Sequence, residues 1–108
     1  MADKITAILG FAVKGRKLVY GIDNIEACKG RIYGIFFDAG LSERSQKNIA
    51  FIAAKKNAVL LESVKPIESV TGKKNCKAAA LTDVNMHKGI MDALENGNEE
   101  YKIMKIEN

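Results

Sequence analysis

The chain has 108 residues, 47% of them hydrophobic, with a formal charge of +4, two cysteines, one histidine and no tryptophan. That length and apolar content let one domain, 1–108, close a core without disulfides or metal, which excludes a stapled mini-protein. Cys28 and Cys76 form no Cys-x-x-Cys pair and His87 stands alone, so the ligands of a structural zinc are missing, and no run nears the ~20 apolar residues of a membrane span.

Read in chain order, Ile5, Ile8, Leu9 and Ala12 recur at i, i+3, i+4 and i+7, which predicts an amphipathic first helix ending near Lys14-Gly15. Lys17 to Tyr20 is a very short strand, and Gly21 lets the chain turn sharply into a second helix that Gly30 ends. Arg31-Ile32-Tyr33-Gly34-Ile35-Phe36-Phe37 is apolar almost throughout and reads as a central strand buried on both faces. After the loop Asp38-Ala39-Gly40-Leu41, Ser42 caps a long third helix to about Lys56, with Ile49, Ile52 and Ala53 inward and Arg44, Lys47, Lys55 and Lys56 outward.

Ala58 to Leu61 is another short buried strand. Pro66 starts a short helix that Gly72 ends, and Lys73-Lys74-Asn75-Cys76-Lys77 is a basic loop. Ala78 to Leu81 is the last core strand, Asp83 caps the final helix, and Met86, Ile90 and Leu94 line one of its faces up to Gly97. The core therefore covers about 4–96, and 97–108 is a tail or, at Tyr101 to Ile106, an extra strand. Helices and strands alternate without linker or repeat, which predicts a three-layer α/β/α sandwich around a small, mostly parallel sheet.

Leu9-Gly10-Phe11-Ala12, the basic turn Gly15-Arg16-Lys17-Leu18 and Gly21 before a helix resemble the opening of the kink-turn-binding ribosomal-protein family, the L seven Ae and L thirty e proteins. A second anchor about fifty residues on, Ile67-Glu68-Ser69-Val70-Thr71-Gly72-Lys73 with its basic loop and the strand ending Leu81-Thr82-Asp83, is similar to that family's Leu-Gly-x-x-x-Gly-Lys segment. The resemblance spans most of residues 5–95. It implies a four-stranded mixed sheet with one antiparallel strand, and a non-enzymatic protein that binds structured RNA or the ribosome.

The resemblance places the contact surface at Lys14, Lys17, Gly21, Asp23, Asn24, Lys73, Lys74 and Lys77, with Arg16 beside them. Where the family has Asn, Glu and a following Lys on its RNA-reading helix, this chain has Asp23, Asn24 and Ala27. Asp lacks the amide donor that reads a base edge and repels phosphate. In the second loop, lysines replace most of the family's apolar surface, which favours phosphate contact over base readout. Cys28 and Cys76 fall on the two elements that form one surface in the family and read as small apolar residues.

Charge is uneven along the chain. Residues 1–82 carry 14 Lys/Arg against 7 Asp/Glu, and 83–108 carry 3 against 6, so a body of +7 precedes a tail of −3. A basic body points to a polyanionic partner. Gly10 to Gly15 has the spacing of a P-loop, but Arg16-Lys17 follows instead of Lys-Ser/Thr and the segment leads from helix to strand, which excludes nucleotide binding by that route. His87 has no Cys or Ser nucleophile at motif spacing, and Asp38 ends the central strand with no convergent partners. These readings predict no catalytic residues, no metal and no cofactor, and a soluble cytoplasmic protein without a signal peptide or membrane association. The alternative is a protein-interaction module on the same fold, its RNA recognition lost.

Overall fold

The computed structural model describes residues 3–104. Asp3 caps α1 (Lys4–Lys14) by accepting the Thr6 amide at 3.0 Å, and the turn at Gly15 leads into β1 (Leu18–Tyr20). The second helix, α2 (Ile22–Ala27), is shorter than the sequence suggests, because Cys28 already has extended backbone, and an irregular segment with a bend at Gly30 leads to β2 (Gly34–Asp38). Every residue of β2 is buried, as expected of a central strand. Ser42 caps α3 (Glu43–Lys56), and Asn57, left-handed at φ 56°, stops it; an asparagine tolerates that conformation better than most residues.

Strand β3 (Val59–Ser63) leads through Pro66 to α4 (Ile67–Thr71), where the proline lies one position outside the helix rather than at its first residue. Strand β4 (Ala78–Leu81) follows the basic loop, and Asp83 caps α5 (Val84–Glu95) by accepting the Met86 amide. The last element is β5 (Tyr101–Met104).

Five strands, not four, form one sheet in the order β1-β4-β2-β3-β5. Nor is the sheet mostly parallel: β2 and β3 pair in parallel, whereas β4 pairs antiparallel with both β1 and β2, and β5 pairs antiparallel with β3. The fifth strand is held from two sides. Tyr101 packs edge-on against Phe36 at 6.1 Å between ring centroids, and its hydroxyl lies 2.8 Å from that of Thr6. Residues 105–106 of the expected extra strand lie outside the described residues.

Helices cover both faces. On one, Ile5 and Leu9 of α1, Ile67 of α4 and Ile90 of α5 bury against Phe36, Leu61 and Ala79. On the other, Ile25 of α2 and Ile49, Ile52 and Ala53 of α3 bury against Ile35, Phe37, Leu60 and Ala80. The alanines of β4 lie opposite the bulky residues of β2, Ala79 facing Phe36 and Ala78 facing Phe37, so large and small side chains interleave in both layers. The cysteines divide between these cores: Cys76 is buried on the α1 face and Cys28 packs against the α3 face.

Candidate functional site

Edge strand β1 sets the distance between the two basic segments. In its register with β4, Leu18 lies opposite Leu81 and Tyr20 opposite Ala79. Lys14, Arg16 and Lys17 therefore cluster where β4 ends, and the Lys17 carbonyl accepts both the Thr82 amide (2.9 Å) and its hydroxyl (3.0 Å). Gly21 and the Lys73–Lys77 loop lie at the opposite end, where β4 begins. The four steps from Lys17 to Gly21 span about 13 Å of extended chain. The basic turn and the basic loop thus share one sheet edge without touching as a single cluster.

At the second end the two sequence anchors do meet. The Gly21 amide donates to the Ala78 carbonyl at 3.0 Å, joining the start of α2 to the end of the basic loop. Gly21 has φ +86°, ψ 147°, a conformation L side chains avoid, so glycine is required there by the backbone. Asn24 donates an amide hydrogen to the Tyr20 carbonyl at 2.8 Å, committing part of the group expected to read a base edge. Asp23 makes no cap; it is exposed and lines the cleft described next.

The basic loop is pinned by its own sequence. Thr71 donates to the Ile67 carbonyl and accepts the Lys73 amide, the Cys76 amide returns to the Lys73 carbonyl at 3.2 Å, and Asn75 takes the left-handed conformation at φ 62°. Cys76 anchors this turn in the core, and its burial, the largest influence on it, raises the thiol above its ordinary range. Lys73 turns its ammonium over the Tyr20 ring, 5.0 Å from the centroid. The stem of Lys77 runs beside Gly40. Lys74 departs from the others and lines a separate groove on α4 with Pro66, Glu68, Ser69 and Gly72.

Between these elements lies an open cleft of about 370 Å³. Gly21, Ile22 and Asp23 form one wall, Asn75, Lys77 and Ala78 the second, and Leu41, Ser45 and Asn48 at the start of α3 the third. The lining residues carry one ammonium, two side-chain amides and a hydroxyl, which can donate to a phosphate or the polar edge of a base, and one carboxylate, that of Asp23, which opposes phosphate. Of the residues expected from sequence, the cleft gathers Gly21, Asp23 and Lys77. Asn24 and Lys73 flank it, and Lys14, Lys17 and Lys74 lie elsewhere. Leu41, Ser45 and Asn48 were not foreseen; their signal was the loop after β2, whose proximity to Lys77 depends on a strand order that sequence does not display.

Asp38 is not part of this surface. Asp38 is 7% exposed, and its carboxylate accepts the Gly40 amide on Oδ1 and the Ile67 amide on Oδ2, both at 2.7 Å. It thereby caps α4, whose own N-terminal neighbour Pro66 has no side-chain oxygen. His87 lies on the side of the molecule where β2 begins, 5.7 Å from the Tyr33 ring, with Nδ1 buried and without a hydrogen-bond partner among the described residues. No three His, Cys, Asp or Glu side chains gather into a possible metal site among the described residues, and no described helix is long and apolar enough to cross a membrane.

The fold and the cleft define a small α/β domain, helices on both faces of one mixed sheet, with a polar, lysine-bearing cleft where β4 begins. Among solved structures it is similar to a protein of unknown function from Bacillus halodurans, with a TM-score of 0.78 at 12% identity over 87% of this chain and 99% of that one. That likeness is one of fold. No family model and no curated protein matches the sequence.

Proposed function

We propose that this chain is a non-enzymatic RNA-binding protein similar to the kink-turn-binding ribosomal proteins, acting on structured RNA or the ribosome. The observation that carries the reading is the convergence of both sequence anchors, the Gly21–Asp23 turn and the Asn75–Lys77 loop, on one polar cleft. Lys77 would neutralise a phosphate inside the cleft and Lys73 one at its rim, while Asn48, Asn75 and Ser45 supply donors and acceptors for a base edge. Lys14 and Lys17, further along the β1 edge, would meet the RNA backbone about 13 Å away. The test is titration of a labelled structured RNA with the wild-type chain and with a Lys73→Ala/Lys77→Ala variant. Weaker binding and a shallower salt dependence in the variant support the site, and identical curves overturn it.

A second reading is a protein-interaction module on the same fold. It draws on Asp23, whose carboxylate in the cleft opposes phosphate, and on Phe11, 63% exposed on α1. A partner that co-purifies after nuclease treatment and is lost with Phe11→Ser would favour it.

A further inference from the structure

Of the four phenylalanines, Phe36 and Phe37 are buried in the sheet, whereas Phe51 is 68% exposed near the middle of α3. Its setting is periodic. Arg44, Asn48, Phe51 and Lys55 recur at i, i+4, i+7 and i+11 and so share one stripe of the helix, with Lys47 alongside, one turn before Phe51. Asn48 also belongs to the wall of the cleft, so the stripe touches the proposed RNA site at Asn48 and continues from there along α3 to Phe51 and Lys55. Phe51 follows Asn48 by three residues, about 4.5 Å along the helix axis.

The surroundings of Phe51 identify the kind of partner. Its neighbours on the helix surface are Lys47, Asn48, Ala54 and Lys55, so along α3 the ring is flanked by two lysines and an asparagine, with Ala54 the one apolar neighbour. Protein interfaces gather apolar area and exclude lysine from their centres. An exposed ring between cations is the arrangement that holds an unpaired base, with the ring on the base and the cations on the flanking phosphates. The one acidic group on this part of the helix, Glu43, lies 3.8 Å from Lys47 and leaves Arg44 and Lys55 as the flanking charges.

We propose that the exposed face of α3 is a second RNA-contacting surface, on which one unpaired nucleotide flanking the structured site stacks on Phe51 between Arg44 and Lys55. The proposal rests on the RNA-binding reading above and extends it from a structured element to the single strand that leaves it.

The test compares two RNAs on the full chain, a blunt kink-turn duplex and the same duplex with a single-stranded flank carrying 2-aminopurine. Phe51→Leu keeps an apolar side chain without a ring, and Phe51→Tyr keeps the ring. The expected result is about a tenfold loss for the flanked RNA with Phe51→Leu, no loss for the blunt RNA, loss of 2-aminopurine quenching, and recovery of both with Phe51→Tyr. If Phe51→Leu binds the flanked RNA as the wild type does while Lys77→Ala weakens both RNAs, the stacking surface is overturned and the cleft stands. If the wild type binds neither RNA, the cleft reading has failed and the stacking surface with it. A Phe51→Leu chain unchanged on RNA but altered in self-association assigns the ring to a protein contact and overturns the proposal.

Discussion

The ammonium of Lys73 lies 5.0 Å from the centre of the Tyr20 ring, which fixes the first lysine of the basic loop against the last residue of β1. A contact of this kind at a partly exposed site contributes about 0.5–1 kcal/mol. It also holds the charge beside Tyr20, the residue before cleft-lining Gly21. Lys73→Ala is therefore expected to weaken RNA binding and to reduce the slope of log K against log salt by about 0.7–0.9, one phosphate's worth. Lys74→Ala, on the α4 groove, is expected to change that slope less. Filter binding at several salt concentrations separates the two, and equal slopes for both variants would remove the assignment of Lys73.

Asp23 and Lys77 face the same cleft with opposite charges. Replacing the carboxylate with its neutral amide, Asp23→Asn, removes a repulsion toward phosphate and adds a donor for a base edge. Affinity for structured RNA is expected to rise about fivefold, and Lys77→Ala is expected to lower it. A decrease with Asp23→Asn would mean that the carboxylate itself makes the contact.

Asp38 joins the end of β2 to the start of α4 through two 2.7 Å hydrogen bonds. Asp38→Ala leaves both the Gly40 and Ile67 amides without their acceptor, at an expected cost of about 2–4 kcal/mol. That is a large part of the ~5–15 kcal/mol typical of a small domain. Urea unfolding would show the loss as a lower midpoint. Asp38→Asn, which retains one acceptor oxygen, is expected to recover part of it.

His87 couples stability to pH. Burial, the larger cause, and the nearby charge of Arg31 both push its pKa below the ordinary 6.5. The unfolded chain therefore binds the proton more readily than the folded one, and stability is full above about pH 6.5 and declines as pH falls below it. Thermal unfolding between pH 7.5 and 5.5 is expected to show a falling Tm for the wild type and a flatter profile for His87→Gln. Asp3 acts in a lower range. Burial works to raise its pKa, but hydrogen bonds led by that from Asn98 outweigh it and hold the carboxyl below 3.8, so its contribution is lost only in stronger acid.

The elements that announce themselves by period and caps were legible in the sequence. Asp3 aside, the caps Ser42 and Asp83, the stop at Asn57 and the inward residues Ile49, Ile52 and Ile90 all stand as their spacing predicts. The fifth strand was legible only as one of two possibilities, because four residues from Tyr101 to Met104 carry little periodic signal and are held by distant partners, Phe36 and Thr6. Strand order was invisible, and the site depends on it. Because β4 inserts antiparallel between β1 and β2, the Lys73–Lys77 loop meets the Gly21 end of β1 and not the Lys14–Lys17 end, and Ser45 and Asn48 of α3 are brought to Lys77. Phe51 breaks the polar pattern of its helix face, a signal that could be read from the i, i+4, i+7, i+11 stripe alone.

The measurement that tests the central claim most directly is the affinity of the wild-type chain for a kink-turn RNA against the same RNA lacking its tandem G·A pairs, across a salt series. A preference for the intact kink-turn that persists as salt rises is the predicted result. Equal affinity and equal salt dependence for the two RNAs would contradict recognition of RNA structure.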